Sequence, residues 1–172
     1  MLIRIHPVDP QARLIRQVVD TLKQGGIIIY PTDTIYGLGC SIYQHKAIER
    51  ICQIKNVQPQ KANLSFVCYD LGDLSHYARQ LDTPVYRTLK HYLPGPYTFI
   101  LPASKEVPKI LKTKKYTVGI RVPENKIARC IVQELGNLIL SATLPGEYVE
   151  DYTDTEIIHE KFGKLVDLVI DG

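Results

Sequence analysis

The spacing of apolar residues along this chain changes repeatedly between the strand and the helix period, and it predicts an α/β protein. Alternating or continuous apolar runs predict strands at residues 3–6, 27–30, 64–68, 97–101, 118–122, 138–140 and 165–170. Apolar positions three and four apart predict helices at residues 9–24, 46–55, 71–76, 84–92, 127–135 and 155–162. Helices and strands mixed in this order indicate one domain over residues 1–172, built around a mainly central sheet.

The segment 30–40 is distinctive because a buried strand ends there in hydroxyl groups, a carboxylate and glycines. Its sequence is Tyr-Pro-Thr-Asp-Thr-Ile-Tyr-Gly-Leu-Gly-Cys. Pro31 lacks an N–H donor and stops the strand, so Thr32, Thr34 and Tyr36 fall at its carboxyl end, where open α/β sheets bind ligands. A turn is the competing interpretation, with Thr and Asp as caps and glycines that supply positive φ. The residues of this segment leave both interpretations open.

Composition places the chain among soluble globular proteins. Hydrophobic residues make up 45% and charged residues 23% of the chain, and no apolar run approaches the roughly 20 residues that span a bilayer. The apolar stretch at the N-terminus is too short and too interrupted for a secretory signal. We therefore expect a cytoplasmic protein without membrane contact. The four cysteines are scattered and form no Cys-x-x-Cys pair, which favours buried reduced thiols over a zinc or redox site.

Polar residues that an ordinary core does not need stand at four predicted strand ends. They are Thr32-Asp33-Thr34, Thr98 after a Pro-Gly-Pro segment, Arg121, and Ser141-Ala142-Thr143. Arg121 is the most informative, because a guanidinium between two apolar neighbours requires a paired anion or an open groove. In such a groove, the guanidinium of Arg121 would bind phosphate or carboxylate through two parallel hydrogen bonds. Strand alternation offers a simpler alternative, in which Arg121 lies on the solvated face.

Lysines give a weaker signal for an anionic ligand. Lys55 closes the second predicted helix, where it either caps carbonyl groups or projects over a cleft toward a phosphate. A basic run between two predicted strands comprises Lys105, Lys109, Lys112, Lys114 and Lys115. Such runs are typically solvated loops, and without clustered aromatic residues they favour duplex RNA over single strands. The net charge of +3 permits an anionic partner without requiring one.

Familiar catalytic motifs are absent from the sequence. It contains no Walker loop, no dinucleotide-binding glycine fingerprint, no metal-binding His pair and no Gly-x-Ser-x-Gly elbow. The five histidines are dispersed, and their spacing assigns none of them a catalytic role. We therefore predict no protein-held metal.

Three segments, in their order and spacing, resemble the YrdC-like family, which includes the L-threonylcarbamoyladenylate synthases. Residues 31–40 resemble its Pro-Thr-Glu/Asp-Thr-x-Tyr-Gly-Leu motif, residues 93–101 its Pro-Gly-Pro-x-Thr segment, and residues 118–123 its Arg-bearing strand. The resemblance covers nearly the whole chain. It implies a twisted mixed sheet flanked by helices, with a concave basic cleft.

The resemblance also implies a reaction. Family enzymes condense threonine, bicarbonate and ATP, with magnesium, to threonylcarbamoyl-AMP and pyrophosphate for the modification of adenosine in transfer RNA. This chemistry needs orientation of the reactants and cations over the departing pyrophosphate, and no protein nucleophile. The binding residues implied by motif are Thr32 and Tyr36 for the amino acid, Lys55 and Arg121 for the phosphates, and Thr98 and Ser141 for the nucleotide pocket.

Departures from the family pattern fall on binding chemistry. The enzymes show Lys-x-Arg at the end of the second helix, whereas this chain has Lys55-Asn56-Val57 and lacks the second cation. Where the enzymes carry Ser-Ala-Asn, Thr143 replaces the Asn; it remains an expected binding residue, but it lacks the amide's paired donor and acceptor. The family usually continues past the Asp-Gly of residues 171–172, so we expect a truncated chain or a site that is partly missing.

Several segments look closest to the YciO subgroup, whose role is described through RNA or ribosome association. They lie at Asn63 and at residues 68–71, 105–108 and 144–146. We therefore expect a YciO-type protein whose cleft binds a nucleotide or double-stranded RNA, related to tRNA threonylcarbamoyladenosine biosynthesis or translation, with weak or lost synthase activity. The alternatives are a working synthase, in which other residues replace the missing Arg and Asn, and a scaffold for a protein or ribosomal partner. The expected ligands are ATP with magnesium, threonine, and double-stranded or transfer RNA.

Overall fold

A computed structural model describes residues 1–62, 64–111 and 116–172, and within them the chain forms eight strands and seven α-helices. The strands are β1 (Leu2–Arg4), β2 (Ile28–Tyr30), β3 (Gly37–Ser41), β4 (Ser65–Val67), β5 (Phe99–Pro102), β6 (Thr117–Arg121), β7 (Ile139–Thr143) and β8 (Leu168–Asp171). The helices are α1 (Ala12–Lys23), α2 (His45–Ile54), α3 (Leu71–Tyr77), α4 (Thr83–Tyr92), α5 (Lys126–Leu135), α6 (Glu150–Thr153) and α7 (Thr155–Phe162). The expectations for Asn63, Lys112, Lys114 and Lys115 lie outside the described residues.

All eight strands form one mixed sheet, in the order β1-β8-β2-β3-β7-β4-β6-β5. The pairs β1–β8, β8–β2 and β4–β6 are parallel, and the other neighbours are antiparallel. Helices pack on both faces of this sheet. The predicted α/β class and the mixed sheet flanked by helices are therefore confirmed.

Each face of the sheet has its own hydrophobic core. On one face, α1 and α5 pack on side chains of β2, β7 and β8. On the other face, α2, α3, α4 and α7 cover β3, β4, β6 and β7. The residues of α1 that the sequence placed on its apolar stripe are buried, among them Val18 and Leu22, both with no exposed surface. Helix α1 starts at Ala12, with Gln11 at the N-cap, whereas the sequence predicted a start at residue 9. Asp9 lies before the helix, and its backbone N–H donates to the His6 side chain.

The structure adds a strand, β3, at residues 37–41, where the sequence predicted none and a turn was one of two open interpretations. Gly37 and Gly39 lie inside this strand, and neither has a positive φ, so that interpretation of the two glycines is wrong. A Cβ atom on Gly39 would lie 2.8 Å from a ring carbon of Tyr30 and 2.8 Å from Cγ2 of Ile139. The glycines are needed because atoms of the buried Tyr30 ring occupy the space that a Cβ atom at either position would take.

Candidate functional site

A row of small residues runs across four strands of the sheet; the Tyr30 ring covers one end of the row, and a cavity lies at the other end. Gly39 of β3 is opposite Ser141 of β7, Ser141 is opposite Ser65 of β4, and Ser65 is opposite Gly119 of β6. Residues directly opposite one another in paired strands share a face, so these four line up side by side. Beside Ser65 and Gly119 lies a cavity of about 280 Å³. It is lined by Pro59, Leu64, Ser65, Phe66, Thr98, Ile100, Leu111, Thr117, Val118, Gly119 and Leu140.

Thr98 is the sequence-predicted residue that lines this cavity. It precedes β5, and its methyl carbon would lie 3.2 Å from a Cβ built on Gly119. Sequence reasoning missed Ser65 and Gly119, which stand within predicted strands and look there like ordinary strand residues. Only the register of β4 with β6 places them beside Thr98.

Ser141, which the resemblance implied for the nucleotide pocket, is bonded to Tyr30 in the structure. The predicted strand ended at residue 140, but β7 continues to Thr143, so Ser141 lies inside it. Its Oγ accepts a hydrogen bond of 2.8 Å from the Tyr30 hydroxyl, and the residue is only 7% exposed. Burial raises the pKa of Tyr30 to about 12, so the phenol stays a donor. Ser141 therefore supports the Tyr30 ring, and it is not among the residues that line the cavity.

Arg121 forms an ion pair with Asp33 of the segment 30–40. Their side chains are 16% and 9% exposed, and Asp33 also accepts a 3.0 Å bond from the backbone N–H of Glu124. The Nε of Arg121 is buried without a hydrogen-bond partner among the described residues. Of the sequence alternatives for Arg121, the paired anion is thus the one observed. The anion comes from within the chain.

This ion pair shows how the β2–β3 loop lies. Strands β3, β7 and β4 lie between β2 and β6 in the sheet. These make four inter-strand spacings of ~4.8 Å, so the two strands are about 19 Å apart in a flat sheet. Asp33 nevertheless contacts Arg121 at the end of β6. The loop therefore extends past the intervening strands toward the end of β6.

Thr32 and Tyr36 hold this loop in shape. Thr32 Oγ1 donates to the carbonyl of Ile35 at 2.7 Å and accepts from the N–H of Thr34 at 3.2 Å, as expected of a Thr-stabilised turn. The Tyr36 hydroxyl donates to the carbonyl of Gly172 at 3.1 Å, and partial burial raises its pKa. Residues 31–36 thus form a loop before β3, and from this loop Asp33 reaches Arg121.

Lys55 reaches from the end of α2 to the end of β7. Its Nζ donates to the carbonyl oxygen of Thr143 at 2.8 Å, so it does not cap its own helix. Partial burial lowers the pKa of Lys55, because desolvation penalises the ammonium form. Thr143 is exposed, and Val57 is half-buried near the same end of α2. The structure thus brings Lys55 and Thr143 into contact, while Arg121 bonds to Asp33 elsewhere in the site.

The thiols and acidic groups offer no second chemistry. Cys40, Cys52 and Cys68 are buried and Cys130 is half-buried, all unpaired, as expected of reduced thiols. Burial raises the pKa of Cys40 to about 12, which makes it a poor nucleophile. Across the described ranges, no three His, Cys, Asp or Glu side chains gather at a spacing that holds a metal ion. No helix formed by these residues has the length and apolar character needed to cross a membrane.

Comparison with known proteins shows the family and supports the fold. The Sua5/YciO/YrdC family model, described as telomere recombination, matches residues 20–172. The chain belongs to the Sua5/YciO/YrdC family. Its relatives include the Escherichia coli K12 protein YciO, 45% identical over 172 residues, which cover 98% of this chain and 82% of YciO. The crystal structure of E. coli YciO superposes with a TM-score of 0.91 and covers 100% of this chain and 84% of that one.

Synthases of the same family are more distant relatives. The threonylcarbamoyl-AMP synthase of Coxiella burnetii is 28% identical over 165 residues, which cover 96% of this chain and 88% of that enzyme. The crystal structure of P. abyssi Sua5 complexed with L-threonine shares the fold, with a TM-score of 0.89 at 23% identity; the match covers 100% of this chain and 50% of Sua5. This family member is therefore of YciO type and is related to the threonylcarbamoyl-AMP synthases.

Proposed function

We propose that this YciO-type chain binds an adenine nucleotide, with the base in the cavity beside Ser65 and Gly119, and that its synthase activity is weak or lost. The observation that carries the proposal is this cavity between β4, β6 and the start of β5. Its volume of about 280 Å³ is just below the ~300–1,000 Å³ typical of small-molecule sites, which suits a base rather than a larger ligand.

The lining of the cavity fits a base that is held mainly by apolar contact. Leu64, Ile100 and Leu111 supply apolar walls, and Thr98 and Ser65 are polar residues among the lining. Ligand sites commonly combine a mostly apolar wall with a few polar groups that fix orientation. Gly119 matters because any side chain there would occupy the space next to Thr98.

The charged groups near the cavity support weak rather than strong phosphate binding. Arg121 is already neutralised by Asp33, so a phosphate has to compete with that carboxylate. Lys55 donates one of its protons to Thr143 but keeps two others for a ligand. Val57 stands where the synthases have a second cation. Magnesium fits this proposal as part of the Mg-ATP substrate, since it binds mainly to phosphate oxygens and water.

Threonine is the second proposed ligand, and the synthase relatives support it. The Sua5 crystal structure is a complex with L-threonine, and the C. burnetii relative is a threonylcarbamoyl-AMP synthase. In this chain Thr32 and Tyr36 would bind it, at the edge of the β2–β3 loop. Duplex or transfer RNA in the same cleft, and a scaffold role, stay predictions, since no described contact favours either.

Calorimetric titration with Mg-ATP, together with an activity assay, tests the proposal. We expect measurable Mg-ATP affinity in the wild type, and little threonylcarbamoyl-AMP or pyrophosphate when threonine, bicarbonate, ATP and magnesium are mixed with it. Robust turnover would establish the synthase alternative. Absence of Mg-ATP affinity would refute the nucleotide site.

A restored cation sharpens this test. Val57→Arg should tighten Mg-ATP binding by about tenfold to a hundredfold, because a charge-assisted contact to phosphate contributes ~1.5–3 kcal/mol. Val57→Gln is the matched control, with a long polar side chain but no charge, and should leave the affinity within about twofold. Equal affinities for the two variants would show that the phosphates do not lie near the end of α2.

A further inference from the structure

The fold gathers aromatic rings on the surface between α4 and β5. The ring series is defined by His91, Tyr92, Tyr97 and Phe99. Its successive ring centroids lie 4.8, 5.2 and 6.4 Å apart, with interplanar angles of 90°, 69° and 51°. Tyr92 is 44% and Tyr97 48% exposed, while Phe99 is half-buried and packs against the core. The series is thus anchored at one end and open to solvent along the rest.

Unpaired positive charge lies on the same helix. The sequence of α4 contains no acidic residue, and Arg87 and Lys90 are both exposed. Among the residues that the structure describes, neither Arg87 nor Lys90 takes part in an ion pair. Tyr86, 42% exposed, precedes Lys90 by four residues, so the two lie on the same side of the helix.

We propose that the ring series and the cations of α4 form a binding surface for an unpaired nucleic-acid strand. Stacking on aromatic rings beside cationic groups is how proteins hold single strands without reading their sequence. A duplex keeps its base faces stacked inside and cannot use such rings. The sequence favoured duplex RNA because the basic run at residues 105–115 lacks clustered aromatic residues; the four rings lie instead within residues 91–99, and the fold brings them into contact.

The surface is separate from the proposed nucleotide site. Thr98 and Ile100 line the cavity, whereas their neighbours Tyr97 and Phe99 belong to the ring series. Phe99 packs against the core beneath α4, whereas Ile100, the next residue of β5, lines the cavity; neighbouring side chains of a strand point to opposite faces, so these two diverge. This inference therefore stands or falls independently of ATP binding.

Fluorescence anisotropy with a labelled oligonucleotide of about 12 nucleotides, within the ~4–16-nucleotide site sizes of stacking proteins, tests the surface. We expect single-stranded RNA to bind more tightly than an RNA duplex of the same length, and single-stranded DNA will show whether the sugar matters. Tyr92→Ala and Tyr97→Ala should each weaken binding by about 5- to 150-fold, as loss of one stacked base predicts. Lys90→Ala should reduce the steepness of the salt dependence.

Matched variants separate stacking from other effects. Tyr97→Phe keeps the ring and should retain the affinity, and Tyr148→Ala, at an exposed tyrosine outside the ring series, should change nothing. Circular dichroism checks that the variants are folded. The proposal is overturned if Tyr92→Ala and Tyr97→Ala bind as the wild type does, or if the duplex binds equally well. Sedimentation with anionic phospholipid vesicles that depends on the same tyrosines would overturn it in favour of a membrane surface.

Discussion

Replacing Asp33 by Asn removes the charge that balances Arg121 while it preserves the size of the side chain. Because the two side chains are only 9% and 16% exposed, the variant leaves a largely desolvated guanidinium without its anion. Breaking a buried pair costs ~3–5 kcal/mol, and the remaining exposure of Arg121 places this case near about 3 kcal/mol. The amide oxygen of Asn can still accept from Glu124, so the loss comes from the charge.

Arg121→Gln should cost a similar amount, because it leaves the Asp33 carboxylate unpaired. The double variant removes both charges, so its free energy of unfolding should fall by little more than that of either single variant. The expected coupling energy is about 2–3 kcal/mol. Urea unfolding of the wild type, the two single variants and the double variant measures it, provided that the m-value stays constant. Additive losses, within ~0.5 kcal/mol, would refute the pair as a buried unit.

Two further predictions concern the support of the site and its acid stability. Gly39→Ala should lower the free energy of unfolding in urea by about 1–3 kcal/mol, because the new methyl group overlaps the Tyr30 ring. Gly119→Ala should lower it by less, because the nearest contact of the new methyl group is 3.2 Å. Equal losses for the two variants would contradict the packing argument. The hydrogen bond from the Lys161 ammonium lowers the pKa of the Asp151 carboxyl. The pair therefore stabilises the fold at pH values above about 3.9, the pKa of an aspartate in the unfolded chain. This contribution is lost as the pH falls through the lower pKa of Asp151 in the folded protein. Thermal melting between neutral pH and pH 2 should therefore show a shallower acid loss for Asp151→Asn than for the wild type, and parallel curves would show that the pair is not coupled to folding.

Local sequence signals predicted most of the elements correctly. The apolar stripe of α1 became a buried helix face, and the Pro-Gly-Pro segment separates α4 from β5 as predicted. Strand β3 was missed because glycines inside a short segment favour a turn in any local reading. Strand β3 pairs with β2, and the Tyr30 ring of β2 fills the space that side chains at Gly37 and Gly39 would need. The reason for the glycines is therefore a contact that only the tertiary structure shows.

The sequence by itself determined the fold class, the family and the requirement that Arg121 have an anionic partner or an open groove. These follow from periodicity, motif order and the cost of an unpaired guanidinium, none of which requires knowledge of contacts between distant residues. The tertiary structure decided that Asp33 is this partner, that Ser141 supports Tyr30, and that Tyr92 and Tyr97 lie together at the surface. Strand order, register and the twist of the sheet bring these groups together, and they depend on contacts between residues far apart in the chain.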